Sequence, residues 1–292
     1  MPRFLTASLL VLLTLAAAAP AYAALDATDP AQAAASVTSA PARASLPLIF
    51  ISQTMNNCGP SSIAEVLDFW GIHKTQGQVQ AVLRADGNPG GMAPFGIPAY
   101  VRSLGMSALM GAGGNDALVK AFISNGFPVI VSQWVSLYDH YGHYRPIAAY
   151  DDARGIFVSS DPYLGPGHAI GYDDFDKIWS SNNNRFYVLY PPAKQTQVTA
   201  IVNGSGWDPT AAYMADIAIQ QARLNGGQPN GPQGWNFRRG YSALSMAWDN
   251  LQLGDFAAAQ RALDVARATG ASPVVTGWIA SEIAFRQTPA AA

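Results

Sequence analysis

One cysteine in 292 residues, Cys58, rules out an intrachain disulfide, so this chain must be held together by an apolar core rather than by crosslinks. The composition permits that. Hydrophobic residues make up 49%, aromatics 11% and charged residues only 12%, which is the profile of a packed globular protein and not of a disordered one. Residues 1–23 add a second constraint: Arg3 supplies a positive n-region, residues 4–18 an apolar run, and Ala21-Tyr22-Ala23 an A-x-A cleavage site. This reads as a signal peptide that is removed, because the run is shorter than the ~20 residues a membrane span needs. No later stretch is apolar enough to cross a bilayer. The mature chain is therefore expected in the periplasm or secreted, with no membrane span after signal removal. A lone thiol there is either a small buried residue or a reactive group.

Charge excludes one class of partner. Net charge is −2, becoming −3 when Arg3 leaves with the signal, and nucleic acid demands a basic surface, so DNA and RNA are set aside. One cysteine and scattered histidines have no zinc-type ligand spacing, so no metal and no cofactor are expected.

Residues 24–45, rich in Ala, Ser, Thr and Pro, read as a flexible leader, with structure beginning at Leu46. From there residues 48–52 are a strand candidate, 58–70, 76–84, 97–104 and 116–125 are helix candidates, and 129–134 is a buried strand. Residues 145–150 and 156–160 form a hairpin around the polar turn 151–155. A short helix (172–179) and a last strand (186–190) follow, and Pro191-Pro192 closes the unit. Helices followed by strands predict an α+β domain over 46–192. Trp70, Trp134 and Trp179 are expected in its core, and His73 and His168 in solvated loops.

Cys58 stands where a helix begins. Asn57 is a capping residue, Pro60 is tolerated in a first turn, and Ile63, Ala64, Leu67 and Trp70 recur at helical spacing. A thiol there meets the positive end of the helix dipole and unpaired N–H groups, both of which favour the nucleophilic thiolate. A cysteine nucleophile also needs a base, a group to orient that base, and donors for the oxyanion. If 151–155 is the turn, Tyr150 faces Ile156, Arg145 faces Asp161 and His143 faces Tyr163. His143 and Asp161 are then diagonal neighbours, roughly 7 to 8 Å apart at the backbone. His140 is the rival base but lies further from Asp161. The carboxamide of Gln53 can turn back toward the helix start and form an oxyanion hole with the Cys58 N–H.

These segments, QTMNNCGPSSIAEVLDFWG, GFPVIVSQW, GHYRPIAAYDD, DPYLG and YDDFDKIW, together resemble the papain-like bacteriocin-processing cysteine peptidase family in its stand-alone, peptidase-like branch. The resemblance covers about residues 46–192. It implies a papain-like cysteine peptidase fold, with N-terminal helices packed on an antiparallel sheet. It further implies that Cys58 is the nucleophile, His143 the base, Asp161 the residue that orients it and Gln53 part of the oxyanion hole, with a peptide or protein as substrate. One departure stands out: the family commonly carries an unbroken β-branched run after its histidine, whereas Arg145-Pro146 interrupts it here, predicting an edge strand or a bulge.

Residues 193–292 lie outside the resemblance. Helices are expected at 209–224, 241–253, 256–269 and 274–286, with a Gly, Pro and Asn-rich loop at 225–234. Around Gly254-Asp255-Phe256 the small and large apolar residues resemble one tetratricopeptide-type hairpin with a following helix. A small all-α region follows, acting either as a cap on the first domain or as a surface for a protein partner. Two functions are then open: an exported cysteine peptidase, or a non-catalytic protein that binds a peptide or partner through the same fold and its helical C-terminal region.

Overall fold

Apolar residues spaced along one face build helix α1 (Cys58–Phe69), whose Ile63, Val66 and Leu67 are fully buried. The computed structural model describes residues 40–88, 90–226 and 239–288. The expected signal peptide, most of the expected leader and most of the 225–234 loop lie outside them. Helix α2 (Gln76–Leu83) starts on a capping box, in which the Thr75 hydroxyl accepts the Gln78 N–H and the Gln78 carboxamide accepts the Thr75 N–H. Helix α3 (Ile97–Ser103) follows, and α4 (Asp116–Ser124) is capped by the Asn115 side chain, which accepts the Leu118 N–H at 2.8 Å.

The strands are β1 (Arg43–Ser45), β2 (Ser107–Gly111), β3 (Val129–Trp134), β4 (Gly142–Asp151), β5 (Ile156–Asp161), β6 (Gly165–Gly171) and β7 (Arg185–Tyr190). Among the described residues they form one seven-stranded sheet in the order β2-β7-β3-β4-β5-β6, with β1 added beside the far end of β4. Every pairing is antiparallel. One core joins α1, α2 and α3 to Ile130, Tyr144, Tyr187 and Leu189 of the sheet. A second core holds α4, helix α5 (Tyr172–Trp179) and helix α6 (Gln195–Gly204), with Val131, Ile147, Phe157 and Phe186. Helices α7 (Pro209–Leu224), α8 (Arg239–Gln252), α9 (Phe256–Ala268) and α10 (Pro273–Gln287) complete the chain. The fold is α+β, with helices packed on an antiparallel sheet, as the sequence implied.

Several local expectations are corrected. Residues 48–52 are not a strand, because their N–H groups are drawn to separate partners: Leu48 to the Leu46 carbonyl and Ile51 to the Glu65 carboxyl. The last residues of the expected leader are structured instead, since β1 pairs Arg43 with Asp151 and Ser45 with Ala149. Strands β2 and β6 and helix α6 were not anticipated. His168 is on β6 and half-buried rather than in a solvated loop. Trp179 is core and Trp70 packs against it, but half-buried Trp134 stacks on His140 instead, with ring centroids 3.8 Å apart. Pro146 is not at an edge, because β4 is paired on both sides; the bulge lies just beyond it, between Ile147 and Ala149.

Candidate active site

Cys58 is the first residue of α1, with Asn57 at the N-cap position. The Asn57 side chain does not cap the helix, contrary to expectation. Its Nδ2 instead donates to Gln80 Oε1 (2.7 Å), Thr54 Oγ1 (2.9 Å) and Gln76 Oε1 (3.2 Å), while its Oδ1 accepts from Arg84 (2.9 Å). The side chain therefore bolts the cysteine turn to α2 and leaves the first N–H groups of α1 to the sulfur and to solvent. The backbone N–H groups of Gly59 and Tyr144 are near enough to the sulfur to favour its thiolate. Ser62 Oγ donates to the Tyr144 carbonyl at 3.1 Å, tying α1 to β4 at this point.

The other half of the site comes from the β4–β5 hairpin. Its turn is one residue tighter than the sequence suggested, pairing Asp151 with Ile156 and Tyr150 with Phe157. The bulge then shifts the register so that Ile147 faces Ser159. Continuing that register sets Arg145 beside Asp161, the relation the sequence count expected, by a route it did not foresee. His143 Nε2 lies 3.0 Å from Asp161 Oδ1, which also accepts the N–H groups of Tyr163 and Leu164, each at 2.8 Å. With Nε2 committed to the carboxylate, Nδ1 is left for the hydrogen bond between His143 and Cys58. Asp161 Oδ2 pairs with Arg145 Nε at 2.9 Å.

All four groups are buried, which fixes the electrostatics. Burial pushes the Cys58 thiol up, but the hydrogen bond and charge of His143 and the two backbone donors outweigh it, so the thiol lies below its ordinary value. Burial pushes the His143 imidazole down, and Asp161 and Cys58 outweigh that, holding it above its ordinary value. Burial would also raise Asp161, yet His143, Arg145 and the Leu164 N–H hold its carboxyl well below the usual carboxylate range. Thiol lowered and imidazole raised is the condition for a thiolate–imidazolium pair.

The structure thus brings Cys58, His143 and Asp161 together. Gln53 is attached to the same place through its backbone, its N–H donating to the Pro162 carbonyl at 2.9 Å, while its half-buried side chain keeps Oε1 without a hydrogen-bond partner among the described residues. His140 is turned away: its Nε2 lies 2.9 Å from the Leu137 carbonyl and its ring stacks on Trp134. His73 is exposed and pairs with Asp68. Among the described residues no group of three or more His, Cys, Asp or Glu side chains is arranged to hold a metal ion.

Three buried groups near the site were not singled out from the sequence. Arg145 was noticed only as an interruption of the strand. Glu65 is fully buried seven residues beyond Cys58, its Oε1 accepting the Ile51 N–H at 2.8 Å. Gln133 pairs with His143 across β3 and β4 and is fully buried, its carboxamide unpartnered among the described residues. A charged or amide residue at an inward strand or helix position was the signal available for each.

The fold, helices packed on an antiparallel sheet, is that of a C39 papain-like peptidase domain. Residues 45–187 match the Peptidase_C39 like family. No curated protein sequence matches the chain. Among solved structures, a double glycine motif protease from an AMS/PCAT transporter in complex with its leader peptide aligns at 19% identity, over 51% of this chain and 94% of that one, with a TM-score of 0.42. The peptidase domain of Streptococcus ComA aligns at 18% identity over 49% of this chain and 97% of that one (TM-score 0.39). A C39-like peptidase from Bacillus anthracis aligns at 14% identity, over 50% of this chain and 96% of that one (TM-score 0.42).

Proposed function

We propose that this protein is an exported cysteine peptidase that hydrolyses peptide bonds through Cys58, His143 and Asp161. The observation that carries the reading is the position of buried His143, hydrogen-bonded to Asp161 on one side and interacting with the Cys58 thiol on the other, with Cys58 at a helix N-terminus. His143 takes the thiol proton and the thiolate attacks the substrate carbonyl. The Cys58 N–H and the Gln53 carboxamide stabilise the oxyanion, the protonated His143 delivers its proton to the departing amine, and water releases the acyl-enzyme. Asp161 keeps the imidazole in the tautomer this requires.

The test is chemical first. Cys58 should be alkylated faster than a free thiol near neutral pH, and His143→Ala should slow this by about 100-fold. Alkylation at the pace of an ordinary buried thiol would sink the reading. The substrate is then sought by mapping cleaved protein termini in periplasmic and culture fractions, wild type against Cys58→Ala. Recovery there of the chain beginning at Ala24 supports export, and recovery of chain beginning at Met1 in the cytoplasm refutes it.

A further inference from the structure

We propose that Arg145 is a positioning residue of this site: it holds the second oxygen of Asp161 so that the first faces His143, and its charge balances the buried triad. The inference rests on the reading of Cys58, His143 and Asp161 given above.

The geometry leaves Arg145 little other role. Its guanidinium is fully buried, reaching Asp161 Oδ2 with Nε at 2.9 Å and donating from Nη2 to the Val135 carbonyl at 2.6 Å. Each oxygen of Asp161 therefore has its own cation, His143 on Oδ1 and Arg145 on Oδ2. At Oδ2 the contact is an ion pair without hydrogen-bond alignment, so Arg145 draws that oxygen toward itself by charge, while Oδ1 is held by His143 and the N–H groups of Tyr163 and Leu164. The Val135 carbonyl belongs to the segment that leads from β3 into β4, so the same guanidinium also pins the chain just ahead of His143.

Charge follows the same arrangement. When the Cys58 proton sits on His143, the buried groups are one thiolate, one carboxylate, one imidazolium and one guanidinium, and the sum is neutral. Without Arg145 the same state buries a net negative charge. The other titratable groups facing the cluster include Glu65 from α1, whose carboxyl is pushed up to about 8, His168 from β6, which burial and the Arg145 charge disfavour as a cation, and Tyr144 from β4, whose phenol burial holds well above its ordinary value. None supplies the missing positive charge.

The sign of the effect is fixed. A nearby cation favours the thiolate and disfavours the imidazolium, so removing Arg145 raises both the Cys58 and His143 ionisations. Carboxymethylation by iodoacetate reads both. The rate rises as the thiolate forms and falls as His143 loses its proton, because a bare thiolate repels the anionic reagent. Arg145→Met should move both limbs of the pH profile to higher pH by about one unit, while Arg145→Lys leaves both within a few tenths of a unit.

If folded Arg145→Met shows the wild-type limbs, or Arg145→Lys shifts as far as Arg145→Met, the proposal is overturned. Should Arg145→Met fail to fold, the comparison of Asp161→Asn with Asp161→Asn/Arg145→Met decides. The unpaired cation of the single variant should push both limbs to lower pH, and the second substitution should bring them back. Identical limbs in that pair also overturn the proposal. A wild-type profile with one limb at the ordinary thiol value would instead defeat the functional reading itself.

Discussion

Glu65 illustrates what burial does to a single group here. Its side chain is fully buried, and burial, opposed by the Ile51 N–H and the Ser160 hydroxyl and reinforced by the nearby Asp161 charge, pushes its carboxyl up to about 8. In the unfolded chain the same group ionises near 4.3. Between those values the folded protein holds a proton the unfolded chain has released, so this residue's contribution falls steadily as pH rises from about 4 to about 8. Glu65→Gln keeps an oxygen for the Ile51 N–H and removes the titration. It should therefore stabilise the protein by on the order of 3 kcal/mol at pH 7 and change little at pH 4. Denaturant unfolding at the two pH values checks this, and equal effects at both would refute the assignment. A protonated Glu65 also leaves Asp161 as the carboxylate that His143 sees.

At the scale of elements, helix α1 and the β4–β5 hairpin meet at one point, and different sequence signals announced them. Helix α1 was legible because its apolar spacing is regular, and β3 because Val129 to Val131 is a continuous apolar run. Strand β6 was not legible, since Gly165-Pro166-Gly167-His168 has almost no β propensity and the strand exists through backbone pairing with β5. The bulge beyond Pro146 was likewise hidden, although the diagonal relation of His143 to Asp161 survived because two local errors in register cancelled. The function of Asn57 was misread for a related reason. A capping residue was expected, but long-range partners on α2 and Arg84 outbid the local bond. Those bonds hold the cysteine turn in place. Asn57→Ala should therefore cost about 2–4 kcal/mol of stability, more than loss of one helix cap, and should slow Cys58 alkylation in the folded fraction. A cost within 1 kcal/mol with unchanged alkylation would show that the turn holds itself.

Across the whole molecule, the question is whether the C-terminal helices are a separate module. Leu244, Ala247, Trp248, Leu263, Ile279 and Ile283 from α8, α9 and α10 share one core with α1. Gly96 has no room for a side chain, because a Cβ there would come 2.9 Å from the Trp278 ring of α10. On the sheet side, fully buried Arg185 of β7 pairs with Asp216 of α7 and lies 3.5 Å from Asp249 of α8. Two carboxylates facing one guanidinium cannot both ionise cheaply, and they divide the roles. Burial raises both, but Arg185, Asn183 and Gln220 outweigh it at Asp216 and hold it below its ordinary value. At Asp249 burial wins with the Asp216 charge behind it, so its carboxyl is pushed well above its ordinary value, the direction that favours the protonated form. The two aspartates should then respond differently to the same substitution. Asp216→Asn leaves Arg185 as an uncompensated buried charge and should cost about 3–5 kcal/mol, whereas Asp249→Asn removes a carboxyl whose charged form burial already opposes and should cost less than about 1 kcal/mol. Denaturant unfolding of the full chain distinguishes them, and equal costs would mean that the proton is shared rather than placed. A large cost at Asp216 would also show that this helix stabilises the sheet carrying the candidate triad, because Arg185 sits in β7 next to β3, which pairs in turn with β4 and His143.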